Sequence, residues 1–145
     1  MKTLHFSIMI RAPREKVWKS MHGSDTYPKW TEDFTEGSYF EGSWDEGAKI
    51  KFLSPGGEGM SSEIAVNRRD EFVSIRHLGY VKNGVEDFDS PEVKAWLPCY
   101  ENYTFTKAPG GTVLKVDLDT SEMYEGMFAE MWPKALEKLK ELCEA

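Results

Sequence analysis

The sequence predicts an α+β domain in which a curved antiparallel sheet of about seven strands wraps around a long C-terminal helix, with two short helices after the first strand. Three observations carry this. Leu4, Phe6, Ile8 and Ile10 alternate with His5, Ser7 and Met9, the period of a strand with one buried face. Between Gly37 and Thr120, strand-like runs are separated by Gly-rich or charged turns at Trp44 to Ala48, Ser54 to Gly59, Asn67 to Glu71 and Ala108 to Gly111. From Ser121 to Ala145 the apolar spacing becomes helical. A chain of 145 residues suits one core, so residues 1–145 are read as a single domain.

The elements follow in order. Pro13 ends the first strand and opens a short helix, with Glu15 at its positive end, Val17, Trp18 and Met21 on one face, and Gly23 placed as a left-handed cap. Ser24 and Asp25 are placed to cap a second helix carrying Tyr27 and Trp30, which Pro28 limits to a turn or two. The longest connection, Val81 to Leu97, holds Asn83-Gly84, the carboxylates Glu86, Asp87, Asp89 and Glu92, and Ser90-Pro91 opening a helical turn. It is positioned to cover a cavity mouth or simply to be a solvated loop, and its charge either guides a cationic ligand or is solvated.

The last helix carries Met123, Met127, Met131 and Ala135 on one line, with Tyr124, Phe128, Trp132, Leu136, Leu139 and Cys143 beside it. Pro133 removes one donor and crowds the carbonyl of Ala129, which predicts a kink or a restart. Met and aromatic side chains before the proline tolerate irregular partners, whereas Ala135, Leu136, Leu139 and Leu142 after it suit fixed packing. A cavity is therefore expected beside the first half, although such a stripe also reads as ordinary core.

Composition narrows the function. The net charge of −7 comes entirely from beyond Lys82, where six basic side chains face thirteen acidic ones. Nucleic-acid binding depends on clustered Lys and Arg, and Arg68 with Arg69 is too small a patch. No run reaches transmembrane length and Met1 to Ile10 lacks a secretory pattern, so neither membrane insertion nor export is expected. Cys99 and Cys143 are too few for a disulfide scaffold, and a reducing cytoplasm is the expected location.

The order of strand, two short helices, six strands and long helix resembles the helix-grip superfamily, also called SRPBCC or START-like, that includes birch-pollen-allergen-like and polyketide-cyclase domains. More narrowly, Ile10-Arg11-Ala12-Pro13-Arg14-Glu15-Lys16-Val17-Trp18, Trp132-Pro133-Lys134-Ala135-Leu136-Glu137-Lys138-Leu139-Lys140, and Glu101 to Phe105 followed by Gly110-Gly111-Thr112 resemble the bacterial branch related to the activator of the heat-shock-protein-90 ATPase. The resemblance covers the whole chain and implies the helix-grip fold. Its motifs mark a corner, a hairpin and a packing face, so they specify architecture rather than chemistry.

If Val73 and Ile75 point inward, the period of two brings His77 to the same face; if Tyr103 and Phe105 do, Glu101 joins them. His77 and Glu101 are the candidate catalytic or head-group-anchoring pair, or else a satisfied structural pair. The candidate ligand-binding residues are Trp30, Phe52, Ile64, Ile75, His77, Glu101, Tyr103, Met123, Met127 and Met131. Tyr100, Asn102 and Arg76 fall on the opposite faces. Ser54 to Gly59 lacks the Gly-Lys-Ser/Thr ending of a phosphate loop, Ser61 and Ser62 lack a nucleophile elbow, and His5, His22 and His77 form no metal-binding motif. No cofactor is implied.

Three functions remain: a binding protein for an apolar, lipid-like or aromatic small molecule; a cyclase- or hydrolase-type enzyme using His77 and Glu101; or an interaction module resembling the chaperone activator. A monomer or a homodimer serves each.

Overall fold

The alternation in the first ten residues forms β1 (Lys2–Ile10), which pairs along its whole length with β8 (Gly111–Thr120), from Lys2 opposite Thr120 to Ile10 opposite Thr112. The computed structural model describes the backbone of residues 1–145 and every side chain but that of residue 96. Between these strands lie α1 (Arg14–His22), α2 (Tyr27–Trp30), β2 (Tyr39–Gly42), β3 (Lys49–Leu53), β4 (Gly59–Arg68), β5 (Phe72–Lys82), β6 (Val85–Asp87), α3 (Pro91–Trp96) and β7 (Cys99–Ala108), and α4 (Glu122–Glu144) closes the chain. The sheet runs β1-β8-β7-β5-β4-β3-β2 with every pair antiparallel, and β6 pairs with the end of β5. This is the α+β helix-grip arrangement.

The strands number eight rather than about seven. The additional one is β6, which Asn83-Gly84 folds back onto β5 with both turn residues at positive φ, 51° and 76°. Such a two-residue turn matches the twist of the paired strands, so part of the long connection becomes a hairpin. The rest becomes α3, where the Ser90 side chain accepts from the Val93 amide at 3.3 Å.

Three local expectations are corrected. Gly23 is extended, with φ −68°, and not a left-handed cap. The residue before α2 is Thr26, not Ser24 or Asp25; its hydroxyl instead donates to the Ser20 carbonyl and ties the corner to α1. Of the kink or restart expected at Pro133, the restart does not occur: helix α4 continues through it as one element of 23 residues. Proline costs that helix one backbone bond, while Trp132, Ala135, Leu136, Leu139 and Cys143 are buried on either side of it and hold it against β1, α1 and α2.

The core lies between the inner sheet face and the helices. Ile10, Val17, Met21, Ile64, Ile75, Leu114, Leu136 and Leu139 are buried there. Each such side chain contributes about 1.5–3 kcal/mol by leaving water. Toward the N-terminal half of α4 the filling changes from aliphatic to aromatic, and the packing opens.

Candidate functional site

Strands β4, β5 and β7 lie side by side, and their register brings polar groups together at the inner face. Ser62 is opposite His77, His77 is opposite Cys99, and Ile75 is opposite Glu101. A register shift at Ser61/Ser62 turns two consecutive serines into buried positions, so Ser61 donates to Glu86 Oε2 at 2.7 Å while Ser62 Oγ lies 2.7 Å from His77 Nδ1. His77 Nε2 lies 3.1 Å from Glu101 Oε1, and the Tyr103 hydroxyl donates to Glu101 Oε2.

The donor inventory fixes the roles. Carboxylate oxygens only accept, so Nε2 carries the proton and, in the neutral ring, Nδ1 accepts from Ser62. Both imidazole nitrogens are thus engaged by protein groups, and His77 is 7% exposed. Glu101 accepts two hydrogen bonds, leaving acceptor sites unused, and its side chain is 18% exposed.

This network forms one wall of a partly open cavity of about 230 Å³. Tyr27, Trp30 and Phe34 line it from the α2 corner, Trp44, Phe52 and Met60 from the sheet edge, Ile75, His77, Glu101, Tyr103 and Leu118 from the sheet, and Phe128 and Trp132 from α4. Thr31, Ser38, Cys99, Asp119 and Thr120 complete the polar lining, and Met21 the apolar. Of the candidate binding residues, Trp30, Phe52, Ile75, His77, Glu101 and Tyr103 converge here.

The remaining candidates lie elsewhere. Ile64 is fully buried in the core, away from the cavity lining. Met123 and Met127 are 82% and 43% exposed, and Met131 is half-buried outside the lining. The adjacent line of α4, through Phe128 and Trp132, faces the cavity instead, so the methionine line is displaced outward by one step around the helix. No described residue of the connection after Val81 lines the cavity. Its carboxylates are largely engaged: Glu86 by Lys49 at 2.6 Å and Ser61, and Asp87 by the amides of Asp89 and Ser90.

Phe34, Trp44 and Tyr27, the last placed on the second helix but not among the candidate binding residues, also belong to the lining. Their signal is compositional, because aromatics cluster between Trp18 and Phe52. Rings there pack edge to face, Tyr27 on Phe40 at 5.3 Å and Trp44 on Phe52 at 5.6 Å.

Burial, and then the Glu101 charge, raises the Tyr103 and Tyr27 hydroxyls above the usual phenol range, so both remain donors. Burial, with Glu101 and Asp119 adding to it, pushes the Cys99 thiol up to about 12. A thiol so protonated is not a nucleophile at neutral pH. Among the described residues no group of His, Cys, Asp and Glu is arranged to hold a metal ion.

The family model described as "Activator of Hsp90 ATPase homolog 1-like protein" matches residues 11–144. The chain belongs to that family. A protein of Mesorhizobium loti, MLL2253, shares the fold with a TM-score of 0.74 at 19% identity, over 97% of this chain and 96% of that one. The Aha1 dimer from Colwellia psychrerythraea gives 0.70 at 20% identity, over 99% and 97%. CalU16 from Micromonospora echinospora gives 0.68 at 17%, over 97% and 75%. No curated protein matches the sequence. At these identities the likeness is one of fold. No helix among the described residues is long and apolar enough to cross a membrane.

Proposed function

We propose that this family member binds a compact apolar or aromatic small molecule in the cavity between the α2 corner, the inner sheet face and the first half of α4. The carrying observation is a cavity of about 230 Å³ whose lining is mostly apolar and rich in aromatic rings, with His77 and Glu101 among a few polar side chains. A dry apolar cavity of about 150 Å³ accepts benzene, and drug-sized ligands occupy about 300–1,000 Å³. The volume therefore favours a single ring or a short chain over a whole acyl lipid.

A second reading, an enzyme, rests on Glu101. His77 has no free nitrogen to serve as the general base, whereas the Glu101 carboxylate keeps acceptor capacity toward the cavity. In that reading Glu101 is the base and His77 positions it. In both readings the protein works as a monomer or a homodimer, in a cytoplasm that keeps the buried, unpaired Cys99 and Cys143 reduced.

Native mass spectrometry of freshly purified protein, compared with its denatured mass, tests the binding reading. A retained small molecule, or a mass shift with small aromatic probes that Phe128→Trp abolishes, is the expected result. A clean mass that no member of an aromatic panel shifts or stabilises counts against it. Product formation lost in Glu101→Gln with binding retained would select the enzyme.

A further inference from the structure

The charge inventory of the lining says more about the occupant than its volume does. Among the described residues two carboxylates, Glu101 and Asp119, line the cavity, and no lysine or arginine does. Asp119 is engaged on both oxygens, Oδ1 by the Thr3 hydroxyl at 2.8 Å and Oδ2 by the Tyr100 amide at 3.0 Å. Glu101 accepts from Tyr103, which is neutral, and from His77, which balances its charge only when the imidazole is protonated.

Beside a neutral imidazole the partly buried carboxylate has no fixed countercharge in the lining, and the shortfall is removed by a cation brought to it. The same cavity is lined by Tyr27, Phe34, Trp44, Phe52 and Phe128, and aromatic faces attract cations. An apolar ligand needs only the rings, and an anionic one is repelled by Glu101.

Building on the small-molecule reading above, we infer that the occupant is a small organic amine, protonated at neutral pH, with its ammonium hydrogen-bonded to Glu101 and its apolar body among the aromatic side chains.

The test is calorimetric titration of the full chain with three ligands of one shape: phenethylamine, 2-phenylethanol and phenylacetate. The expected order is amine, then alcohol, then carboxylate, with the amine at least about tenfold tighter than the alcohol, as a charge-assisted hydrogen bond implies. Glu101→Gln, checked for an unchanged fold by circular dichroism, should erase that preference while leaving the alcohol bound. The wild-type comparison decides alone should that variant fail to fold. Equal binding of amine and alcohol overturns the amine inference and leaves the small-molecule reading standing; binding of none of the three removes both.

Discussion

His77 and Glu101 meet diagonally across β5 and β7, Nε2 to Oε1 at 3.1 Å, although the residues directly opposite them are Cys99 and Ile75. Diagonal neighbours in an antiparallel pair are within reach of long side chains. The contact holds the carboxylate at the cavity wall, with Ser62 holding the imidazole from behind.

His77→Ala therefore acts on binding more than on folding. The expected stability loss is about 1–3 kcal/mol, since Ser62 loses a buried partner and Glu101 one of two. Ligand affinity should fall in the same variant while circular dichroism stays native. Thermal melts beside titrations separate the two effects, and unchanged affinity would remove Glu101 positioning from the mechanism.

Phe128 and Met123 are five residues apart on α4 but stand in different environments. Phe128 lines the cavity and Met123 is 82% exposed. Phe128→Ala should change ligand affinity and enlarge the accepted ring. Met123→Ala should leave stability within about 0.5 kcal/mol and affinity unchanged. Equal effects in a binding assay would contradict this placement of the cavity.

Leu139, fully buried in the tightly packed half of α4, carries the opposite signature. Leu139→Ala should cost about 2–5 kcal/mol in chemical denaturation, without altering ligand selectivity in the folded fraction.

Stability should also fall on mild acidification, through His22. Burial lowers its pKa to about 4 from 6.5, its Nδ1 donates to the Trp18 carbonyl at 2.7 Å, and its Nε2 is buried with no hydrogen-bond partner among the described residues. The unfolded chain takes up this proton at higher pH than the folded one. The stabilisation is thus present above about pH 6.5 and lost as pH falls toward 4, a change of about 3 kcal/mol. Melting temperatures of wild type and His22→Phe across that window check it: the variant, still stacked between Trp18 and Trp44, should show a shallower slope.

The fold was legible because its period signals are long. β1 alternates over nine residues, and the α4 stripe persists over 23, so neither depends on a single side chain. β6 was not legible as a strand, because three residues carry no period and only the Asn83-Gly84 turn marks it. The inward pair His77 and Glu101 followed from counting by two from Ile75 and Tyr103, since no bulge intervenes between β5 and β7 there. Ser62 could not be found the same way, because the shift at Ser61/Ser62 breaks the count. On α4 the stripe was visible but not its edges: the exposed Met123 and the lining Phe128 differ by how far the helix is rotated, which the sheet and α2 decide.

The most direct test of a ligand in this cavity is a two-dimensional NMR titration of the full chain with phenethylamine and 2-phenylethanol, following the Ile75 methyl, the Trp30 and Trp132 indoles and the methionine methyls. Binding in the cavity predicts saturable shifts at Ile75, Trp30 and Trp132, with Met123 and Met127 unmoved. Shifts confined to Met123 and Met127, or none at any of these positions, would contradict it.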